Sequence, residues 1–118
     1  MSHRFTAADR LRKRAEFTRV QQQGRRVAGR FVTLLILAND CTAPRLGLIA
    51  SRKLGPAVVR NRAKRRLREA ARAVIPLHGR PGWDYVLVGR PATTVERPFA
   101  SLCADLASAL RALHGEAA

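Results

Sequence analysis

The residues whose type and spacing indicate chemistry lie in one segment, between Arg52 and Arg72. Nine of its 21 residues are basic, and Glu69 is the one acidic residue among them. The basic residues are Arg52, Lys53, Arg60, Arg62, Lys64, Arg65, Arg66, Arg68 and Arg72. Guanidinium groups are planar and bind phosphate through two parallel hydrogen bonds. This run of residues therefore predicts a surface that binds a polyanion.

The same segment has the periodicity of an amphipathic helix. At about 100° per residue, one stripe is apolar and comprises Val59, Ala63, Leu67, Ala70 and Val74. The opposite face carries Asn61, Lys64, Arg65, Arg68 and Arg72, while the flanks of the stripe carry Arg60 on one side and Arg62 and Arg66 on the other. A solvated face usually alternates acidic and basic residues, so the pattern favours an anion-binding face over a merely solvated one.

The acidic residues and histidines do not form a catalytic or metal-binding pattern along the chain. The acidic residues, no two of which are close in the sequence, are Asp9, Glu16, Asp40, Glu69, Asp84, Glu96, Asp105 and Glu116. A metal-dependent nuclease needs clustered carboxylates, and a metal-free ribonuclease needs paired histidines or a histidine–carboxylate pair. His3 and His114 lie in predicted tails and His78 in a predicted loop, which indicates surface histidines. We therefore predict no catalytic residue and no metal site in this chain.

Composition points to one soluble domain. The chain has 118 residues, 47% of them hydrophobic, which suits a single packed core. It contains no apolar run of about 18 residues, and no apolar stretch follows its N-terminal charges. We therefore expect no membrane span, no signal peptide and a cytoplasmic location. Cys41 and Cys103 are far apart and have no histidine at zinc-ligand spacing, which is typical of two reduced thiols.

The net charge of +15 indicates the kind of partner. A domain of this size does not need such a charge to fold, and repulsion among the cations opposes the compact state. A polyanionic partner relieves that repulsion, and nucleic acid is the commonest one. Arginine outnumbers lysine by 20 to 3, and a GC-rich genome accounts for part of that ratio but not for the net charge.

The hydrophobic pattern predicts a mixed α+β fold with one sheet. We expect a helix over 10–23, extended chain over 25–38 that Gly29 can divide into two strands, and a strand over 45–51. A second helix begins at Gly55-Pro56, runs to about Val74 and ends before Pro76. A loop over 77–82, a strand over 83–90 and a helix over about 98–113 complete a single domain, 1–118, with an ordered core of about 10–113. The predicted inward positions are Leu11, Ala15, Phe17 and Val20 in the first helix, and Phe99, Leu102, Leu106, Ala109, Leu110 and Leu113 in the last.

The segment from Arg45 to Glu69 resembles the ribonuclease P protein family. The family signature is a strand, then a Ser-basic-Lys-x-Gly turn, then a helix with Arg-Asn-Arg. Here the strand is 45–50, the turn is Ser51-Arg52-Lys53-Leu54-Gly55, and the helix contains Arg60-Asn61-Arg62. Flanking features agree: Arg10-Leu11-Arg12-Lys13 with Glu16-Phe17 and Gly24 match the first helix, and 83–88 followed by Arg90-Pro91 match the last strand. The resemblance covers about residues 10–113.

The resemblance implies a fold and a function that composition alone does not give. The fold would be a single α/β sandwich in the order αβββαβα, similar to the second domain of ribosomal protein S5, with a left-handed βαβ crossover against the usual rule. The chain would be the protein subunit of ribonuclease P and would bind two partners, the catalytic RNA and the single-stranded 5′ leader of precursor tRNA. The RNA would remove the leader with Mg²⁺, and the protein would hold no cofactor. Neither DNA nor a membrane is an expected partner.

The resemblance also assigns candidate site residues. The RNA-binding residues would be Arg60, Asn61, Arg62, Lys64, Arg65, Arg68 and Arg72, and the leader cleft would include Phe17, Ser51, Arg52 and Lys53. Phe17 would stack on a leader base, and its alternative role is plain core. Other members have aromatic residues where this chain has Gln21 and Leu35, so the cleft here is expected to depend more on charge and shape.

Two other functions fit parts of these observations. A structural RNA-binding protein, such as a ribosomal protein, would explain the charge and the size but not the combined turn, helix and strand motifs. A protein-only endonuclease would need a catalytic site that the sequence does not offer.

Overall fold

The computed structural model describes residue 11 and residues 13–39 and 44–115. In chain order the elements are α1 Arg14–Gln23, β1 Arg25–Ala28, β2 Val32–Ala38, β3 Arg45–Ile49, α2 Ala57–His78, β4 Trp83–Gly89, α3 Thr93–Glu96 and α4 Phe99–His114. The predicted α+β class and the order αβββαβα are confirmed, with two additions, a 3-10 turn at Arg52–Leu54 and the short helix α3. The predictions for His3, Asp9, Asp40, Cys41 and Glu116 fall outside the described residues. None of the helices in the described part of the chain is both long and apolar enough to cross a membrane.

The four strands form one mixed sheet in the order β1-β2-β4-β3. β1 pairs with β2 and β2 with β4 in antiparallel fashion, whereas β3 and β4 are parallel. Because α2 connects these two parallel strands, β3, α2 and β4 form the predicted βαβ unit. The left-handed sense of that crossover stays a prediction.

The two faces of the sheet are covered very differently. Side chains alternate along each strand, so Leu34 and Tyr85 face the large core under α2 and α4. Leu35 and Val86 face the opposite side, where they pack with Val20 of α1. Two long helices cover the first face, but a helix of ten residues covers the second. The second face therefore has room for grooves on either side of α1.

Helix α2 does not end before Pro76 as the sequence predicted. It continues to His78, and the Gly79 N–H completes the last turn by donating to the Ile75 carbonyl at 2.7 Å. A proline in the last turn removes one hydrogen bond, whereas Val74 and Ile75 are both buried in the main core. Tertiary burial therefore outweighs the local signal, and His78 lies in a helix rather than in a loop.

Two predicted inward positions, Ala15 and Phe99, are not buried, and a third, Leu11, is buried but lies before the helix. Ala15 is exposed, and the first helix begins only at Arg14, so Leu11 precedes it. Leu11 is nevertheless buried, because its N–H donates to the Leu46 carbonyl at 2.9 Å along the edge of β3. Phe99 is 39% exposed, since it occupies the first position of α4. The positions from Leu102 to Leu113 in the last helix are buried as predicted.

The prediction that His114 is a surface histidine in a tail is also wrong. His114 ends α4 and is half-buried against Trp83 and Tyr85. Its Nε2 lies 2.8 Å from the Tyr85 hydroxyl, which also accepts from the Arg80 N–H at 2.7 Å. The histidine therefore belongs to the packing that closes the end of the sheet.

Candidate nucleic-acid interface

Helix α2 presents the basic face that its periodicity predicted. Its apolar stripe is buried at Ala63, Leu67, Ala70 and Val74, and Val59 is half-buried. The opposite side exposes Asn61, Arg62, Lys64, Arg65 and Arg72, with Arg68 half-buried. An open groove of about 530 Å³ runs along this side, lined by Val58, Asn61, Arg62, Lys64, Arg65 and Arg68. Six of the seven predicted RNA-binding residues thus share one surface, and five of them line or border one groove.

Arg60 and Arg66 behave differently from that exposed set. Arg60 is half-buried, and its Nε is buried with no hydrogen-bond partner within the described part of the chain. The Arg66 Nε donates to the Thr94 carbonyl at 2.8 Å, and its Nη2 donates to the carbonyl of Arg97. Its guanidinium carbon also lies 6.0 Å from the centre of the Phe99 ring. Arg66 therefore holds the α3–α4 junction against α2; it is not among the predicted RNA-binding residues.

A second groove joins α1 to α2 across the edge of β3. Its volume is about 170 Å³, and its lining residues are Leu11, Phe17, Leu46, Leu48, Lys64 and Arg68. The Phe17 ring rests on Gly47, where an added Cβ would lie 2.6 Å from the Phe17 Cε1. Phe17 also packs against the small core under α1. The ring therefore takes part in packing and lines a groove that contains two cations.

The turn between β3 and α2 holds the remaining predicted cleft residues. Ser51, Arg52 and Lys53 are all exposed, and the last two lie in the 3-10 turn. Gly55 closes that turn with a φ of 134°, a conformation that only glycine adopts without strain. The glycine of the turn motif thus has a physical reason. Ser51, Arg52 and Lys53 do not line the groove at Phe17.

A third groove, of about 270 Å³, lies on the same face of the sheet. It is lined by Gln21, Arg26, Thr33, Leu35 and Val88. The structure thus brings together Gln21 and Leu35, the two positions where the family resemblance led us to expect aromatic residues. Arg26 is exposed here and is directly opposite Leu35 in the β1–β2 register. Sequence analysis missed Arg26, because only the strand register decides which of the neighbouring Arg25 and Arg26 faces this groove.

A buried ion-pair network lies beside the groove at Phe17. The Arg45 Nε and Nη2 each donate to the Asp84 carboxylate at 2.8 Å, and the Arg45 Nη1 donates to Glu16 Oε2 at 3.0 Å. The Asp84 side chain is only 2% exposed and also accepts from Asn39 Nδ2 at 2.6 Å. Glu16 and Asp84, which are far apart in the sequence, thus bind the same guanidinium.

The described residues do not assemble a metal-binding cluster. Across residue 11 and residues 13–39 and 44–115, no three histidine, cysteine or acidic side chains lie together as metal ligands would. Cys103 is a free thiol, and burial raises the pKa of that thiol while the charge of Arg66 partly opposes the shift.

The α+β fold, the basic face of α2 and the groove beside it define a small nucleic-acid-binding protein. The family model described as Ribonuclease P matches residues 5–114. The "Ribonuclease P protein component" of Ruegeria pomeroyi is 52% identical over 106 residues, which are 88% of this chain and 85% of that protein. The chain belongs to the ribonuclease P protein family.

Solved structures agree with this assignment. A Staphylococcus aureus RNase P protein mutant, described as defective in mRNA degradation activity, superposes with a TM-score of 0.76 at 30% identity. That match covers 89% of this chain and 87% of the other. The RNase P protein from Thermotoga maritima gives a TM-score of 0.72 at 29% identity, over 92% of this chain and 98% of that one. The mixed sheet and the helices that carry the site are thus the fold of this family.

Proposed function

We propose that the chain is the protein subunit of a ribonuclease P ribonucleoprotein. It binds the catalytic RNA through the basic face of α2 and binds the single-stranded 5′ leader of precursor tRNA beside α1. The RNA then cuts the precursor and releases the mature 5′ end. The protein contributes by positioning the leader and by screening the repulsion between phosphates, which lowers the demand for Mg²⁺.

The observation that supports this function best is the groove that combines Phe17 with Lys64 and Arg68. The face of an aromatic ring can stack on any base, at about 1–3 kcal/mol per base, and two cations can neutralise the neighbouring phosphates. This combination suits a single strand of RNA, because a duplex does not present its bases to an aromatic side chain. The leader is the single-stranded part of the substrate, so it is the part that this groove fits.

The wider groove on α2 suits the other partner. Basic and amide side chains line it, and among the described residues the exposed Val58 is the one apolar residue in its lining. Phosphate contacts of this kind bind a folded RNA through its backbone and do not read its sequence. We therefore assign this groove to the catalytic RNA.

The chemistry of the cut is assigned to the RNA and its Mg²⁺. In the protein, Glu16 and Asp84 lie close together, but both carboxylates bind Arg45. Asp105 accepts three backbone N–H bonds from Arg30, Phe31 and Val32, so it holds the β1–β2 turn. These three carboxylates have structural partners that a metal ion would have to displace.

Reconstitution tests this proposal. Precursor tRNA is incubated with ribonuclease P RNA alone, with the protein alone, and with both, over a series of Mg²⁺ concentrations. We expect cleavage at lower Mg²⁺ when the protein is present and no leader release by RNA-free protein. The protein-alone arm also includes an mRNA, because mRNA degradation is named for the Staphylococcus relative. Cleavage by RNA-free protein would contradict the assignment of catalysis to the RNA, and absence of any stimulation would contradict the subunit assignment.

A further inference from the structure

The ring of Phe17 depends on where α1 lies, and few contacts fix α1 on the sheet. Val20 is its one fully buried residue, and it packs beneath the middle of the helix. At the start of the helix, Glu16 binds Arg45, and next to it Phe17 lies on Gly47. Arg45 and Gly47 are two positions apart on β3, so the Arg45 side chain and the Phe17 ring that lies on Gly47 are on the same face of the sheet. The ion pair and the ring contact are therefore neighbouring attachments of the same turn of helix to the same strand.

Arg45 is itself held firmly. It is directly opposite Asp84 in the parallel β3–β4 register, and its two hydrogen bonds to that carboxylate fix the plane of the guanidinium. Since the Asp84 side chain is 2% exposed, the arginine cannot leave without stranding a buried charge. The third donor, Nη1, then points to Glu16 at a distance of 3.0 Å. The sheet thus presents a fixed donor to which the first turn of α1 attaches.

Glu16 uses its two oxygens for two different tasks. Oε1 accepts from the Lys13 N–H at 2.9 Å and so starts the helix, while Oε2 accepts from Arg45. A glutamine has one acceptor oxygen, so it cannot make both bonds with separate oxygens. The side chains of Arg45 and Glu16 are only 21% and 26% exposed. Their ion pair is therefore better shielded from solvent than the exposed pair of Glu69 and Arg72 at 3.9 Å.

We propose that Arg45 and Glu16 are positioning residues for the leader groove, because their ion pair sets the place of Phe17 above Gly47. This inference rests on the proposed function, since it concerns leader binding at the same groove. Neither residue lines the groove. Loosening the pair lets the first turn of α1 move, and the ring then no longer meets the base and the two cations of α2 in one geometry.

The test uses the reconstituted holoenzyme and compares binding of precursor and mature tRNA. Glu16→Gln keeps an oxygen to accept the Lys13 N–H bond that starts the helix but removes the charge. Arg45→Lys keeps a cation beside Asp84, but an ammonium group lacks the forked guanidinium that reaches both carboxylates. We expect each to lower precursor affinity by about 3- to 10-fold and to leave mature tRNA affinity within about twofold. Glu96→Gln, at an exposed position of α3, makes the same charge change outside the grooves and should change neither affinity.

A double-variant cycle separates positioning from general destabilisation. If Glu16 acts through Phe17, then Glu16→Gln causes no further loss in a Phe17→Ala background. An additive loss would overturn the inference, and so would wild-type discrimination in both Glu16→Gln and Arg45→Lys. If the wild-type holoenzyme itself binds precursor and mature tRNA equally, the proposed leader function fails instead. Circular dichroism melting of each variant checks that the fold is retained.

Discussion

Gly47→Ala tests whether the Phe17 ring contributes to binding as well as to packing. The new Cβ would lie 2.6 Å and 3.0 Å from two atoms of the Phe17 ring and 3.1 Å from Leu11 Cδ1. Atoms cannot approach that closely, so the ring must move away from the strand. It has space to move, since Phe17 is half-buried and lines an open groove. The substitution therefore displaces the ring without touching any basic residue.

Two opposing effects set the change in stability. Overpacking costs about 1–3 kcal/mol, and an alanine in a strand recovers about 0.5–1 kcal/mol relative to glycine. Because the ring can shift toward solvent, we expect a net loss of about 1 kcal/mol in the free energy of unfolding, measured by urea denaturation. Loss of stacking on one base removes about 1–3 kcal/mol of leader affinity, which corresponds to about 5- to 150-fold. The effect on leader binding should therefore exceed the effect on stability.

The assay is fluorescence anisotropy of precursor and mature tRNA binding to holoenzyme that contains Gly47→Ala. Precursor affinity should fall and mature tRNA affinity should not. Adding Phe17→Leu should recover stability, because the smaller side chain relieves the clash, but it should not recover leader affinity. If stability falls and the two tRNAs keep their wild-type affinity ratio, then Phe17 is core alone and the assignment of the groove is wrong.

Four further outcomes are expected. Asp84→Ala takes two of the three carboxylate bonds from the Arg45 guanidinium, which keeps its bond to Glu16, and should lower the free energy of unfolding by about 1.5–3 kcal/mol in urea titrations. A loss under about 1 kcal/mol would contradict a stabilising role of this pair. Arg60→Ala with Arg62→Ala should weaken assembly with the catalytic RNA in filter binding while unfolding stays cooperative, and unchanged affinity would remove both residues from that interface. Arg26→Gln should reduce the slope of log leader affinity against log salt by about 0.7 if it contacts one phosphate, and an unchanged slope would exclude that contact. Burial raises the pKa of the Cys103 thiol, and the thiolate is the form that reacts with alkylating agents. Alkylation of Cys103 at pH 8 should therefore be slower than that of a cysteine in a short peptide, and a faster reaction would contradict the raised pKa.

The fold and the basic face could be predicted because their signals are local and periodic. The apolar stripe of α2 repeats every three or four residues, and four of its five members are fully buried. Gly55 was recognisable as part of a turn, and its φ of 134° supplies the reason. The end of α2 was mispredicted because Pro76 is a local signal, whereas the burial of Ile75 depends on residues far away in the chain.

The parts of the site that sequence missed all depend on contacts between distant residues. Glu16, Arg45 and Asp84 belong to three different elements and meet only because β3 and β4 pair in parallel under α1. Arg26 enters its groove through the β1–β2 register, and a shift of that register by one residue would place Arg25 there instead. A single sequence contains no pattern that fixes strand pairing of this kind.

The structure divides the arginines into those that hold the fold and those left for a partner. Arg25 donates to the carbonyl of Leu113 at 2.5 Å at the end of α4, Arg45 binds two carboxylates, and Arg66 binds two carbonyls. On the exposed side of α2, by contrast, Arg72 and Glu69 form an ion pair at 3.9 Å. An exposed pair at that distance contributes little to stability. Among the described residues, Glu16 and Asp84 thus bind an internal arginine, whereas Arg62, Lys64 and Arg65 stay exposed on α2, where the proposed RNA partner would bring phosphates.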